Sequence, residues 1–223
     1  MRTLAVIALK GGSGKTTIAA HLALAAHLRG EDVMVADLDR QSSLLNALSA
    51  RQEPGPTVVA STGPKLLSTK FAAVALRKDL LVVDTPAVAV EEVGEAVVLA
   101  DMAVLVVRPT LLDLSGLAPT LSLVRRLAKP ATVVVTQAPE GEGGAESPLV
   151  RRALRALDYM RAPLAPVIVR ARTVYQTALE TGRSVEETGD AAAAAEIAAL
   201  WAHVAGMLAW AGDDLIEAGA AGS

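Results

Sequence analysis

A glycine-rich loop near the amino terminus places the strongest constraint on how this chain can fold. Residues 4–9 are apolar and have the length of a buried strand, and residues 18–28 are rich in alanine and leucine, as in a packed helix. Between a strand and a helix, loop N–H groups and the helix N-terminus converge on one anion, and glycines let the backbone approach it. The sequence therefore predicts a phosphate-binding loop, made of Lys10, Gly11, Gly12, Ser13, Gly14, Lys15, Thr16 and Thr17.

Apolar runs of strand length recur along the rest of the chain, and segments with helical spacing separate most of them. This alternation predicts a single α/β domain over residues 1–223 with a P-loop fold, in which a mainly parallel twisted sheet carries helices on both faces. The loops at 52–56 and 139–144 do not mark domain boundaries. Further strands are expected at 33–36, 80–83, 103–107, 131–135 and 166–169, and helices at 42–50, 65–76, 91–99, 114–127 and 149–157.

Carboxylates follow two of these strands, at the edge where open α/β sheets bind ligands. Asp37 and Asp39 come at the end of the second strand, and strand alternation places them on the same side. Asp84 ends the apolar run at 80–83. Carboxylate and hydroxyl oxygens suit Mg²⁺, so these residues and the Thr16 hydroxyl are candidates for one site.

The additional lysine at the start of the loop, Lys10, makes it a deviant Walker A motif, and the chain here resembles the ParA/MinD family of ATPases. Leu9 stands where the ordinary motif has its first glycine. The resemblance runs from about residue 4 to residue 204, and residues 174–185 resemble the C-terminal signature of small partition ATPases of the ParF type. It implies ATP and Mg²⁺ as cofactors, and an ATP-dependent sandwich homodimer in which Lys10 touches the nucleotide of the partner subunit.

The same resemblance assigns roles in Mg²⁺-dependent hydrolysis of ATP to ADP and phosphate. The segment after the second strand resembles the family's D-x-D-P-Q sequence, with Arg40 in place of the proline, and Asp84 resembles a Walker B aspartate. In the turn that follows Asp84, which resembles the family's switch loop, Ala87 replaces a proline. Catalytic roles fall to Lys10, Lys15 and Asp39, with Asp39 orienting the attacking water, and the Mg²⁺ shell falls to Thr16, Asp37 and Asp84.

A basic stretch suggests a surface for nucleic acid. Residues 108–183 contain eleven bases and six acids. Ser147 and Pro148 predict a helix start, and an inward stripe of Leu149/Val150, Ala153/Leu154 and Leu157 leaves the arginines of that helix outward. Such a face can bind DNA phosphates without reading sequence, but it can equally be an ordinary solvated helix face. The resemblance favours non-specific DNA binding by Arg151, Arg152 and Arg155.

The carboxyl-terminal segment differs in charge from the rest of the chain. Arg183 is the last base, and seven acids follow it. A MinD-like positioning ATPase would end in a basic amphipathic helix that binds anionic lipid, so this acidic segment predicts no membrane partner. The uncharged run at 197–212 is expected to be a packed helix. The chain contains no cysteine, which excludes thiol chemistry and cysteine-ligated iron–sulfur clusters. Because no secretory signal is recognisable either, the sequence predicts a cytoplasmic protein, and the resemblance to partition ATPases implies association with the nucleoid.

The sequence as a whole predicts a ParA-like ATPase that partitions plasmid or chromosomal DNA with a ParB- or ParG-like DNA-binding partner. The chief alternative is an ATPase that positions a protein cargo, such as a microcompartment, a chemosensory cluster or a division-site regulator. A bacterial tyrosine kinase of this fold would carry a tyrosine-rich tail, whereas the two tyrosines, Tyr159 and Tyr175, lie within the body. The three histidines are scattered over predicted helices and are expected to be packing or surface residues.

Overall fold

The fold is built on one sheet of seven parallel strands in the order β3-β2-β4-β1-β5-β6-β7. The computed structural model describes residues 1–87 and 93–220, with side chains through residue 209. Its strands are β1 (Arg2–Ile7), β2 (Val33–Asp37), β3 (Thr57–Ala60), β4 (Leu80–Asp84), β5 (Met102–Val107), β6 (Ala131–Ala138) and β7 (Leu164–Arg170).

Helices cover both faces of this sheet, as the alternating pattern predicted. Successive residues of β1 enter different layers, since Leu4 and Val6 pack on one side and Ala5 and Ile7 on the other. The first layer contains α1 (Lys15–Leu28), α2 (Ser43–Ser49), α7 (Val174–Leu179) and α8 (Ala191–Ala220). The second contains α3 (Leu66–Ala75), α4 (Gly94–Leu99), α5 (Leu111–Arg126) and α6 (Pro148–Tyr159).

The predicted elements and the observed ones differ in a few places. The sequence analysis did not predict β3 or α7, which have four and six residues. The helix expected at 91–99 is observed as α4 from Gly94, and residues 91 and 92 lie outside the described part of the chain. The expected start of α6 is confirmed, because the Ser147 hydroxyl accepts a hydrogen bond from the Val150 N–H at 3.2 Å.

One position of the predicted inward stripe of α6 is wrong. Val150, Ala153 and Leu157 are buried, but Leu149 is 36% exposed and Leu154 is half-buried. Leu149 is the second residue of the helix, directly after Pro148, so it lies beside the narrow apolar stripe and not on it.

The last helix, α8, packs against the body of the protein along one face. By length and composition alone, Ala191–Ala209 could cross a membrane, with a mean hydropathy of 1.5. Five apolar side chains at helical spacing are nevertheless buried in the core, which is the packed helix that the sequence predicted. They are Ile197, Leu200, Trp201, Val204 and Leu208.

Candidate functional site

A wide cleft lies at the carboxyl ends of the central strands. It is lined by the whole glycine-rich loop at 10–17, by residues 37–43 after β2, and by residues 60–64 around the end of β3. The parallel sheet brings these segments together, because the carboxyl ends of its strands share one edge.

The loop between β1 and α1 has the backbone geometry of an anion cradle. Gly12 and Gly14 have positive φ values of 74° and 85°, which glycine adopts without strain. The helix α1 begins at Lys15 without a side-chain cap, so its first N–H groups remain available to a ligand. The Ser13 hydroxyl is buried and has no hydrogen-bond partner among the described residues. A phosphate group would satisfy these donors, and the loop therefore fits the nucleotide that the sequence predicted.

Three side chains join the loop to the end of β4. The Lys15 ammonium donates to Asp84 Oδ1 at 2.9 Å, and the Thr16 hydroxyl donates to Asp84 Oδ2 at 2.8 Å. Burial raises the pKa of the Asp84 carboxyl above its ordinary value, and the Lys15 charge and the two hydrogen bonds oppose that rise. Mg²⁺ uses few protein ligands and keeps waters and phosphate oxygens, so a hydroxyl and a carboxylate in contact are a donor set that suits it.

The two aspartates after β2 are in different environments. Asp37 pairs in register with Asp84 and is buried, and its carboxylate accepts the Asp39 N–H at 3.0 Å and the Leu45 N–H at 2.9 Å. Asp39 is half-buried and lines the cleft, with one oxygen accepting the Gln41 N–H at 2.9 Å. Asp37 thus organises the loop that presents Asp39, while its predicted contribution to the Mg²⁺ shell stays a prediction.

Lys10 is exposed at the rim of the cleft. Its aliphatic stem lies against α5, where a Cβ added to Gly116 would come 3.6 Å from Lys10 Cε. Nearby, the Arg108 guanidinium makes a two-point ion pair with Asp113 on α5, at 2.8 and 3.1 Å. This pair holds the pKa of the Asp113 carboxyl below its usual range, against the opposing effect of burial. The role of Lys10 in a partner subunit stays a prediction.

The sequence analysis assigned no site residues to a second cavity beside the loop. It lies between Gly14 and Thr17 on one side and residues 169–176 on the other, and Gln137 borders both cavities. Arg170 and Arg172 are held there by Glu146 and Glu196, with hydrogen bonds of 2.7–3.3 Å. The polar end of the strand at 131–135 and the signature at 174–185 were the available signals, but neither has a fixed spacing from the loop.

The three arginines predicted to bind DNA lie on α6, away from the cleft. Arg151, Arg152 and Arg155 are all exposed, and Arg151 donates to the Glu146 carbonyl oxygen at 2.8 Å. Glu146 also makes an ion pair with Arg170 at 2.7 Å, which links the start of α6 to β7. The outward arrangement is therefore confirmed, and binding to DNA stays a prediction.

Many solved structures resemble this fold, and they include the following three. McdA from Cyanothece has a TM-score of 0.76 at 19% identity, covering 93% of this chain and 99% of that one. The cell division ATPase MinD from Pyrococcus furiosus has a TM-score of 0.74 at 19% identity, with 92% and 99% covered. A protein from Borrelia burgdorferi named "putative plasmid partition protein", bound to AMPPNP, has a TM-score of 0.67 at 14% identity, with 92% and 97% covered. At these identities the likeness shows the fold alone.

Sequence comparison gives the family. A curated protein named "Putative replication protein A" from Sinorhizobium fredii is 54% identical over 44 residues, which are 20% of this chain and 11% of that protein. A second, from Rhizobium rhizogenes, is 45% identical over 53 residues, or 13% of its length, so the chain matches only a small part of either relative. Residues 4–206 match the family model of the CobQ/CobB/MinD/ParA nucleotide binding domain, which confirms the resemblance carried by the loop. The protein therefore belongs to the CobQ/CobB/MinD/ParA family of nucleotide-binding domains.

Proposed function

We propose that the protein is a Mg²⁺-dependent ATPase of the ParA type that forms an ATP-dependent dimer, binds DNA non-specifically and takes part in DNA partition. The contact of Lys15 and Thr16 with Asp84, below a glycine loop of anion-binding geometry, is the observation that carries this proposal. It joins a phosphate cradle to a magnesium-type donor set at one end of the sheet.

In hydrolysis a water oxygen bonds to the γ-phosphorus of ATP. The bond between the γ-phosphorus and the oxygen that bridges it to the β-phosphorus breaks, which gives ADP and phosphate. Asp39 lines the cleft and has a carboxylate oxygen to accept a hydrogen bond from that water. Lys15 would exchange Asp84 for phosphate oxygens and stabilise their charge. Thr16 and Asp84, with Asp37 in register beside Asp84, would hold Mg²⁺, which would supply further charge neutralisation.

Partition as the biological role is supported by charge and by the names of relatives. The exposed arginines of α6 form a cationic surface that can bind phosphates of any DNA sequence. The curated relatives are named for replication, and one protein of the same fold is named for plasmid partition. We propose a cytoplasmic, nucleoid-associated protein whose hydrolysis a ParB- or ParG-like DNA-binding partner stimulates, without a membrane partner.

The test is binding to labelled non-specific duplex DNA by fluorescence anisotropy with ATP, with ADP and without nucleotide. We expect salt-sensitive binding with ATP only. The Arg151→Ala/Arg152→Ala/Arg155→Ala variant should lower the slope of log affinity against log salt by about three per protomer. Lys15→Ala should abolish ATP-dependent binding, and Asp39→Ala should keep it while hydrolysis falls about 100-fold.

A double variant with Lys65→Ala and Arg77→Ala serves as the matched control, because both side chains are exposed at the ends of α3 and far from α6. It should bind DNA like the unaltered protein. DNA binding that is independent of ATP, or that survives in the α6 variant, would contradict the proposed DNA surface. Anionic liposomes form a parallel arm, and ATP-dependent binding to them without DNA binding would favour the positioning of a protein cargo instead.

A further inference from the structure

Two side chains near the end of β6 donate hydrogen bonds to carbonyl oxygens of the phosphate-binding loop. The Thr136 hydroxyl donates to the Ser13 carbonyl oxygen at 2.7 Å, and the Gln137 side-chain amide donates to the Gly12 carbonyl oxygen at 2.7 Å. Thr136 is buried, whereas Gln137 is exposed where the two cavities meet. Neither residue was assigned a role by its sequence pattern.

These two hydrogen bonds set the direction of the loop N–H groups. In a trans peptide unit the C=O and the N–H point in opposite directions. Fixing the Gly12 carbonyl therefore fixes the N–H of Ser13, and fixing the Ser13 carbonyl fixes the N–H of Gly14. Both N–H groups then point away from β6, as an anion-binding nest of successive N–H groups requires.

The backbone around the contact is adapted to it. Gln137 has a φ of 49°, in the left-handed region that a residue with a long side chain rarely adopts. A Cβ added to Gly14 would lie at ordinary contact distances, 3.4 Å from Gln137 Nε2 and 3.8 Å from Thr136 Oγ1, so the positive φ of Gly14, 85°, is what favours glycine there. Backbone strain of this kind persists where the surrounding structure holds a site in a functional geometry.

We propose that Thr136 and Gln137 are positioning residues that hold the loop in its phosphate-binding conformation before a nucleotide arrives. The inference rests on the proposed function, since it concerns how the loop takes up the phosphates of ATP and ADP. The pair acts on the phosphate part of the ligand, because the groups it orients belong to residues 12–14 and not to the cavity wall at 169–176. A preformed loop lowers the ordering cost of binding.

Calorimetric titration with ADP and with inorganic pyrophosphate, which has no base or sugar, tests the proposal. Gln137→Ala should weaken the binding of both ligands about tenfold, as expected for one hydrogen bond to a pre-ordered loop. Gln137→Glu should weaken both further, because a carboxylate cannot donate to the Gly12 carbonyl. Thr136→Val should behave like Gln137→Ala, and Thr136→Ser, which keeps the hydroxyl, should restore binding.

Gln176→Ala is the matched control, because Gln176 is an exposed glutamine that borders the same two cavities and belongs to the segment at 169–176. This substitution should weaken the binding of ADP and leave the binding of pyrophosphate unchanged. Thermal unfolding without ligand checks that each variant is folded.

The proposal is overturned if Gln137→Ala weakens the binding of ADP but not of pyrophosphate, since Gln137 would then contact the adenosine part of ADP and not act through the phosphate loop. It is equally overturned if the affinities do not change, or if the unaltered protein binds ADP but not pyrophosphate. Failure of the unaltered protein to bind either ligand would instead remove the proposed function itself.

Discussion

At the scale of single residues, His21 shows how a polar group is accommodated inside α1. Its Nδ1 accepts the Val185 N–H at 3.4 Å, so the proton of the neutral ring is on Nε2, which lies 3.1 Å from the Tyr175 carbonyl oxygen. The side chain is fully buried, and this burial lowers its pKa to about 4. His21 is therefore a packing residue, as its isolated position in the sequence suggested.

This histidine gives the protein a specific sensitivity to acid. Because its pKa is lower in the folded protein than in the unfolded chain, protons bind preferentially to the unfolded chain. The contribution of neutral His21 to the free energy of unfolding is therefore fully present above about pH 6.5. It decreases by about 3 kcal/mol as the pH drops toward about 4. Urea unfolding at several pH values measures this slope. His21→Gln should show a smaller slope over that interval, and equal slopes would contradict the assignment.

At the scale of elements, the junction between α2 and the segment after α7 depends on one close backbone contact. Arg51, just beyond α2, makes a two-point ion pair with Glu187 at 2.8 Å and also donates to the Gly182 carbonyl oxygen at 3.1 Å. Glu187 completes a capping box with Ser184. A Cβ at Gly182, whose φ is 67°, would lie 2.5 Å from the Arg51 backbone nitrogen.

Gly182→Ala should therefore destabilise the protein more than an ordinary glycine substitution. We expect a loss of about 2–4 kcal/mol, from a left-handed alanine together with a backbone clash. Gly30→Ala is the matched control, because Gly30 also has a positive φ, of 90°, but has open space where its Cβ would be. Its cost should be about 1–2 kcal/mol. Chemical denaturation compares the two, and equal losses would show that the Arg51 contact does not constrain this position.

At the scale of the whole molecule, the exposed position of Lys10 at the rim of the cleft allows the predicted dimer to be tested. Lys10 is exposed at the rim and forms no ion pair within the described residues, whereas Lys15 is buried against Asp84. A lysine that acts on the partner's nucleotide would contribute to association more than to nucleotide affinity.

Sedimentation velocity with ATP should show a dimer for the unaltered protein and a monomer for Lys10→Ala, which keeps most of its nucleotide affinity. Arg77→Ala, which removes an exposed base before the amino end of β4, at the edge of the sheet opposite the cleft, should still allow dimerisation. A stable ATP dimer of the Lys10 variant would remove the role in trans.

The structure shows which parts of the site are local in the chain. The loop at 10–17 and the strands β4 and β5 follow from short-range apolar patterns, and the helix start at Ser147 follows from capping chemistry. The same rules fail for β3 and α7, because elements of four to six residues give too few repeats to reveal a period.

The sequence by itself determined the phosphate loop, the α/β class and the family, since each depends on conformational preferences and spacing within a few consecutive residues. The tertiary structure alone decided which distant groups meet. Asp37 lies beside Asp84 only because β2 and β4 pair, and Gln137 reaches Gly12 across 125 residues of chain. Such contacts depend on the order of strands in the sheet, and local preferences carry no information about that order because the pairing energy arises only when remote segments pack.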